Sequence, residues 1–241
     1  MSSRAVYKFP IESEPPFPNN ATNFKTFEVN EENENQYYRL LISAITPRPI
    51  GFISTKGKNG VCNVSPYSYF NAVSHDPPTL VFSSVTRRNR DDGQGDTLKN
   101  LIETKHCVVN IISEWMADAA NHACGPYDYD LDEINISSLT TLPGVTMDVP
   151  RIKESAVQME CKLVQTVPIR NHTGKETCTL AIIQIVAFHV NENVYEEKEG
   201  VINPRKLKPV ARLGGDAFYS FLGKIIDLPR LNKDGTSSRK K

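Results

Sequence analysis

The chain has 241 residues, of which 39% are hydrophobic, and its 28 lysines and arginines balance its 28 aspartates and glutamates. This balance excludes a strongly basic nucleic-acid-binding protein and gives no general attraction to an anionic membrane surface. No apolar run reaches the length of a bilayer span, so we expect a soluble protein whose partners are small molecules or another subunit.

The N-terminal sequence lacks the apolar stretch of a secretory signal, which predicts a cytoplasmic location. The cysteines are odd in number and widely spaced: Cys62, Cys107, Cys124, Cys161 and Cys178. None of them forms a C-x-x-C pair. This spacing predicts reduced thiols rather than a zinc site or a disulfide framework.

The chain divides into an arm, one domain and a tail. Residues 1–35 are rich in proline, asparagine and glutamate, which predicts an extended N-terminal arm. Residues 36–230 are expected to form a single domain, and residues 231–241 a disordered basic tail. An apolar stripe predicts a helix over residues 32–44, which ends before Pro47.

The segment from residue 46 to residue 85 is predicted to contain three short strands. Residues 50–55 alternate in the manner of a half-buried strand, and the glycines and asparagine of residues 56–60 favour a tight turn. A second strand begins at Val61, and a third covers residues 79–82. The segment therefore has the pattern of consecutive antiparallel strands.

Two polar segments are expected at the ends of these strands, namely residues 63–68 and the pair Ser83-Ser84. Backbone N–H groups and hydroxyl groups at strand ends suit a planar, polar, phosphorylated ligand. Ordinary turn chemistry explains the same residue types, and spacing alone favours that simpler interpretation.

A polar loop of residues 86–95 precedes a helix that Asp96 or Thr97 is expected to cap. The loop contains three arginines, Arg87, Arg88 and Arg90. Because a helix N-terminus attracts anions, this region is a candidate phosphate site. The alternative is that Asp96 is only an N-cap and the arginines are solvated.

The rest of the chain favours an antiparallel barrel. Residues 106–112 are uniformly apolar and predict a central strand, and residues 113–125 predict a helix. Residues 127–141 are expected to form a short helix and a loop. Strands over residues 154–167 and 179–190 form a long hairpin, which favours an antiparallel barrel over a parallel sheet.

Three further features lie toward the C-terminus. Residues 203–209 are basic and contain two prolines, which predicts a loop. The pair Gly214-Gly215 permits close approach of the backbone to another group. His189 ends the second long strand, and its position alone indicates a surface histidine.

The chain resembles the flavin reductase-like family of FMN-binding split-barrel proteins over about residues 38–219. The resemblance is carried by RPIGFIST, GVCNVSPYSYFN, DPPTLVFSS and DTLKNLIETKHCVVN, and more loosely by AIIQIVAFHV and ARLGGDAFY. It implies a mainly β fold with flanking helices, an antiparallel FMN-binding split β-barrel.

The resemblance also implies a set of site residues. The implied cofactor-binding residues are Arg48, Ser54, Thr55, Asn63, Val64, Ser65, Pro66, Tyr67, Ser68, Ser83, Ser84, Arg88, Asp96, Thr97 and Arg212. His189 is implied to lie near the flavin or the nicotinamide as a catalytic residue. A basic residue often precedes the Asp-Thr pair in this family, but Gly95 stands there. One of the three loop arginines is therefore expected to hold the phosphate, with Arg88 favoured and Arg48 or the helix terminus at Asp96-Thr97 as the alternatives.

The implied function is an FMN-containing oxidoreductase, homodimeric, that takes a hydride from NAD(P)H and passes electrons to free flavin or another small acceptor. The flavin supplies the redox chemistry, which agrees with the lack of a visible nucleophile or a Gly-x-Gly-x-x-Gly motif. The alternative is an FMN-binding electron carrier or flavin-binding protein without NAD(P)H reductase activity. A third possibility, oxidation of a pyridoxal-type substrate, has no clear motif match.

Overall fold

The structure is a computed structural model that describes residues 23–29, 34–87, 90–125, 127–128, 131–215 and 217–226. Most of the predicted arm over residues 1–35 and all of the predicted tail over residues 231–241 lie outside the described residues. No helix in the described part of the chain is long and apolar enough to cross a membrane.

The described residues form five α-helices and fourteen strands. The helices are α1 (Glu34–Ala44), α2 (Asp96–Thr104), α3 (Ala117–His122), α4 (Glu133–Ile136) and α5 (Pro204–Leu207), with 3₁₀ turns at Glu114–Met116 and Glu192–Val194. The strands are β1 (Arg48–Pro49), β2 (Gly51–Lys56), β3 (Cys62–Tyr67), β4 (Phe70–His75), β5 (Pro78–Val85), β6 (His106–Ile111), β7 (Thr141–Leu142), β8 (Arg151–Ile152), β9 (Val157–Arg170), β10 (Glu176–Val190), β11 (Tyr195–Glu196), β12 (Val201–Ile202), β13 (Ala211–Arg212) and β14 (Tyr219–Ser220).

Seven of the strands form one antiparallel sheet in the order β3-β2-β6-β9-β10-β5-β4. The sheet curls so that β3 approaches β5, and the rings of Tyr67 and Phe82 lie 4.8 Å apart between their centroids. The long β9–β10 hairpin and the central position of β6 confirm the sequence predictions. The fold is the predicted mainly β split barrel with flanking helices.

Two hydrophobic cores lie on opposite faces of the sheet, and neighbouring residues of β2 belong to different cores. Ile53 packs inside the barrel with Phe82, while Phe52 packs outside it with Met116 and Ile134 against α3 and α4. Strand β2 is therefore buried on both faces, whereas its alternation predicted a half-buried strand. The flanking helices cover the face of β2 that the alternation in its sequence predicted to be exposed to solvent.

The prediction of three strands before residue 85 missed β4. This edge strand is largely exposed, so it lacks the apolar alternation that identifies a strand in sequence. The prediction that the polar segments end their strands is also wrong. Ser83 and Ser84 lie within β5, because they pair with Leu180 and Thr179 of β10.

One helix prediction, one loop prediction and one N-cap prediction need correction. The predicted helix over residues 113–125 is a 3₁₀ turn followed by the six-residue α3. Residues 203–209 contain the one-turn helix α5, because the Asn203 side chain accepts a hydrogen bond from the backbone N–H of Arg205 at 2.9 Å. The N-cap of α2 is Gly95 rather than Asp96 or Thr97, both of which lie in its first turn.

Candidate functional site

A cleft of about 1000 Å³ opens beside the β3–β4 connection and the end of β5. Residues 117–124 of α3 and its C-terminal turn form another wall, and the β13–β14 segment closes the far side. The predicted cofactor-binding residues that line this cleft are Arg48, Ser65, Pro66, Tyr67, Ser68, Ser83, Ser84 and Arg212. The structure thus brings together residues that are more than 160 positions apart in the sequence.

The cleft has aromatic side chains at its rim. Tyr38 of α1 and Tyr69 lie on one side, and Tyr219 and Phe221 lie on the other. The guanidinium of Arg212 stacks over the Tyr219 ring at 4.5 Å. Aromatic walls with polar groups between them suit a flat, conjugated ligand.

A small polar pocket of about 30 Å³ adjoins the cleft and shares Ser65, Tyr67 and Arg87 with it. The N-terminus of α2 forms its other wall, with Gly95, Asp96 and Thr97. This nine-residue helix directs its first backbone N–H groups and its positive dipole end toward the pocket. We call this the α2 pocket; its wall suits an anion.

Arg87 occupies the place where a basic residue at position 95 would act. A Cβ atom built on Gly95 would lie 3.6 Å from Arg87 Nε and 3.7 Å from Ser84 Oγ. Among the described residues, none donates or accepts a side-chain hydrogen bond with the Arg87 guanidinium. Arg88, which the sequence favoured as the phosphate ligand, lies outside the described residues.

The neighbouring Arg90 has a different role. Its guanidinium forms a two-pronged ion pair with the Asp96 carboxylate, and Nη2 also donates to the Tyr127 carbonyl at 3.4 Å. The pair neutralises the carboxylate in the first turn of α2. The α2 pocket therefore keeps its positive character from Arg87 and from the helix N-terminus.

A buried hydrogen-bond network joins residues that line the α2 pocket. The hydroxyl of Thr97 donates to Asn63 Oδ1 at 2.7 Å, and the Asn63 amide donates to Glu133 Oε2. The backbone N–H of Val64 donates to the same carboxylate oxygen at 3.2 Å. Asn63 and Thr97 were predicted site residues, and the structure makes them walls of the α2 pocket.

Glu133 is the functional candidate that sequence reasoning missed. It is buried in α4 and lines the α2 pocket, and its partner Asn63 is 70 residues away. Burial, together with the nearby Asp96 charge, raises the pKa of Glu133 to about 7, against the hydrogen bonds from Asn63 and Val64. In the neighbouring sequence, the signal that could have indicated a helix carrying Glu133 is Asp132. Its side chain caps α4 by accepting a hydrogen bond from the backbone N–H of Ile134.

Three predicted residues lie in the interior rather than in either pocket. Ser54 and Thr55 are fully buried, with Ser54 Oγ donating to the Pro150 carbonyl at 2.6 Å and Thr55 Oγ1 accepting from Asn100 at 3.1 Å. Val64 is a core side chain. Their side chains hold the sheet and α2 together behind the site.

Arg48 lines the cleft, but its guanidinium is engaged by the backbone. Nη1 donates to the carbonyls of Ile42 and Ile45 at 2.5 and 2.8 Å, and Nη2 donates to that of Leu213 at 3.1 Å. These bonds join the end of α1 to the segment after β13. The residue organises the cleft wall and is a poor candidate for the phosphate ligand.

His189 is not among the described residues that line the cleft or the α2 pocket. Its Nε2 lies 2.9 Å from Oε1 of Glu160, which is fully buried. Although burial alone would raise the pKa of Glu160, hydrogen bonds from Thr146, from the backbone of Val145 and from His189 lower it to about 2. The geometry gives His189 a structural partner, and its implied catalytic role stays a prediction.

The sequence matches the model of a known domain family. Residues 43–210 match the flavin reductase like domain. An uncharacterised protein of Bacillus subtilis, YwrF, is 35% identical over 205 residues, a match that covers 85% of this chain and 98% of YwrF.

Two solved structures share the fold. The crystal structure of nitrilotriacetate monooxygenase component B from Bacillus cereus superimposes with a TM-score of 0.80 at 34% identity, covering 86% of this chain and 100% of that one. The 2-nitrobenzoate 2-nitroreductase NbaA of Pseudomonas fluorescens gives a TM-score of 0.73 at 27% identity, covering 86% of this chain and 96% of its own.

The raised pKa of Glu133 predicts a specific dependence of stability on pH. Between pH 4.5 and about 7 the folded protein keeps a proton that the unfolded chain releases, so this residue lowers the free energy of unfolding as pH rises. Glu133→Gln removes this contribution. Relative to wild type, the variant should therefore gain up to about 3 kcal/mol between pH 4.5 and pH 8.

Urea unfolding of both proteins across this pH range measures the effect. Glu103→Gln, at an exposed position of α2, is the matched control. An equal pH-dependent gain in the control, or a constant difference between wild type and Glu133→Gln, would contradict the assignment.

Proposed function

Since the chain belongs to the flavin reductase-like family, whose members are flavin-related oxidoreductases, we propose that it binds FMN, oxidises NAD(P)H and passes the electrons to free flavin or another small acceptor. The observation that carries the proposal is the junction of the aromatic cleft with the α2 pocket. The cleft has room for a tricyclic ring, and the α2 pocket for one phosphate.

The residues present fit FMN in both parts of the site. A single phosphate group would meet the N-terminus of α2, the Ser65 and Ser84 side chains and the Arg87 guanidinium. Tyr67 lines both the cleft and the α2 pocket, so it spans the boundary between them. The pocket is sized for a terminal phosphate rather than for the adenylate half of FAD.

The protein contributes binding and orientation. FMN, when bound, supplies the redox chemistry, because its ring takes a hydride from the nicotinamide and delivers electrons to the acceptor. The Tyr38 and Tyr69 side chains line one end of the cleft, and Tyr219 lines the other. Tyr219 is held by its hydroxyl, which donates to Asn121 Oδ1 at 3.2 Å.

Stopped-flow mixing tests the proposed reaction. Purified protein carrying FMN is mixed anaerobically with NADH or NADPH, and the absorbance of the oxidised flavin is followed. We expect it to fall in a single turnover with at least one of the two donors. Free FMN at the same concentration is the control for uncatalysed reduction. A spectrum that stays unchanged over minutes with both donors would contradict the reductase and indicate an FMN-binding carrier.

A homodimer is proposed as well. Strands β9 and β10 carry exposed large apolar side chains, among them Val164 and Phe188, which are 57% and 56% exposed. Apolar surface of this kind is typical of a protein interface, and the resemblance to the family implies FMN near a subunit boundary.

Light scattering should give about twice the 27.0 kDa mass of the chain at micromolar concentration. Phe188→Lys should shift the population toward the monomer if these strands are buried between subunits. A wild-type mass of one chain would contradict the dimer.

A further inference from the structure

A second groove, of about 1270 Å³, lies on the outer side of the cleft. We call it the outer groove. Its walls are α1 with residues 27–29 of the preceding segment, the loop after β5, and the turn between β9 and β10. Most of its lining residues do not line the cleft.

The outer groove is continuous with the cleft. Tyr38, Tyr69, Val85, Thr86 and Arg87 line both. A ligand that extends out of the cleft past Tyr38 and Arg87 therefore enters the outer groove directly. Its occupant is expected to be the remote part of a molecule whose reactive end lies in the cleft.

One wall of the outer groove is aromatic. Tyr37 and Tyr38 of α1 and the half-buried Phe27 line it. The Tyr37 hydroxyl donates to the Glu28 carbonyl at 2.6 Å, which fixes the segment carrying Phe27 against α1. Such a wall offers stacking surface to a planar heterocycle.

The opposite side of the outer groove carries one exposed lysine, Lys175, among charged groups that are mostly paired. No described carboxylate lies within ion-pair distance of Lys175 in the β9–β10 turn. Two groove carboxylates are already paired, Asp92 with Lys99 at 3.5 Å and Glu176 with Arg170 at 3.7 Å. Asp91 remains as an exposed opposing charge. Lys175 is therefore available to a phosphate.

We infer that the outer groove binds the adenosine diphosphate half of the nicotinamide dinucleotide, with the adenine on the aromatic wall and the pyrophosphate at Lys175. A stacking surface, a cation and an open connection to the flavin cleft together match this ligand. The inference rests on the proposed function, because a nicotinamide donor is its premise.

ADP-ribose is the probe, since it carries the adenosine and pyrophosphate but no nicotinamide. Calorimetric titration into the FMN-loaded wild type should show binding. Lys175→Gln should weaken it about fivefold and Lys175→Glu more, as expected for an exposed charge contact. Lys58→Gln, at an exposed position of the turn between β2 and β3 and away from the groove, should bind like wild type. In the two Lys175 variants the KM for the nicotinamide donor should rise in parallel with the loss of ADP-ribose binding, whereas their affinity for FMN should stay unchanged.

The outcomes separate the two proposals. If wild type does not bind ADP-ribose, or if Lys175→Gln and Lys58→Gln behave alike, the outer groove is not the dinucleotide site, even when the donor reduces the flavin. If neither donor reduces the flavin in wild type, the proposed reaction fails, and the premise of this inference fails with it.

Discussion

The site depends on the buried side chain of Asn63. Its amide joins three elements, because the oxygen accepts from Thr97 of α2 and the nitrogen donates to Glu133 of α4, while Asn63 itself belongs to β3. A buried polar group is costly unless it is hydrogen-bonded, so each of these elements is held in one position. The N-terminus of α2 consequently faces the α2 pocket, where its N–H groups can meet an anion.

The charges around the α2 pocket consist of one ion pair and two single groups, Glu133 and Arg87. Arg90 and Asp96 neutralise each other, and Glu133 avoids a full negative charge near neutral pH because burial raises its pKa to about 7. Arg87 is left without such a partner among the described residues. A phosphate at this position would therefore meet a cation and a helix N-terminus, with little opposing charge.

The sequence predicted the strands with strong apolar patterns and the residues of the cleft that follow one another in β3. It did not predict β4, because an exposed edge strand has no periodic signal, and it did not predict Glu133, whose partner Asn63 lies 70 positions away. Long-range contacts of this kind are fixed by the packing of α4 on β3. Likewise, the sequence alone indicates that Gly95 removes a basic group from this position. In the structure, the Arg87 side chain from the preceding loop lies beside Gly95 and occupies that space.

The central claim is that the α2 pocket holds the phosphate of FMN, and paired titrations test it most directly. FMN and riboflavin are titrated into apo wild type, Arg87→Ala, Arg88→Ala and the control Arg39→Ala, an exposed arginine of α1. A charge-assisted contact of this kind predicts that Arg87→Ala weakens FMN binding roughly tenfold and leaves riboflavin binding unchanged. Equal losses for both flavins would contradict the claim, as would wild-type protein that binds riboflavin as tightly as FMN. A loss specific to FMN in Arg88→Ala alone would move the contact from Arg87 to its neighbour.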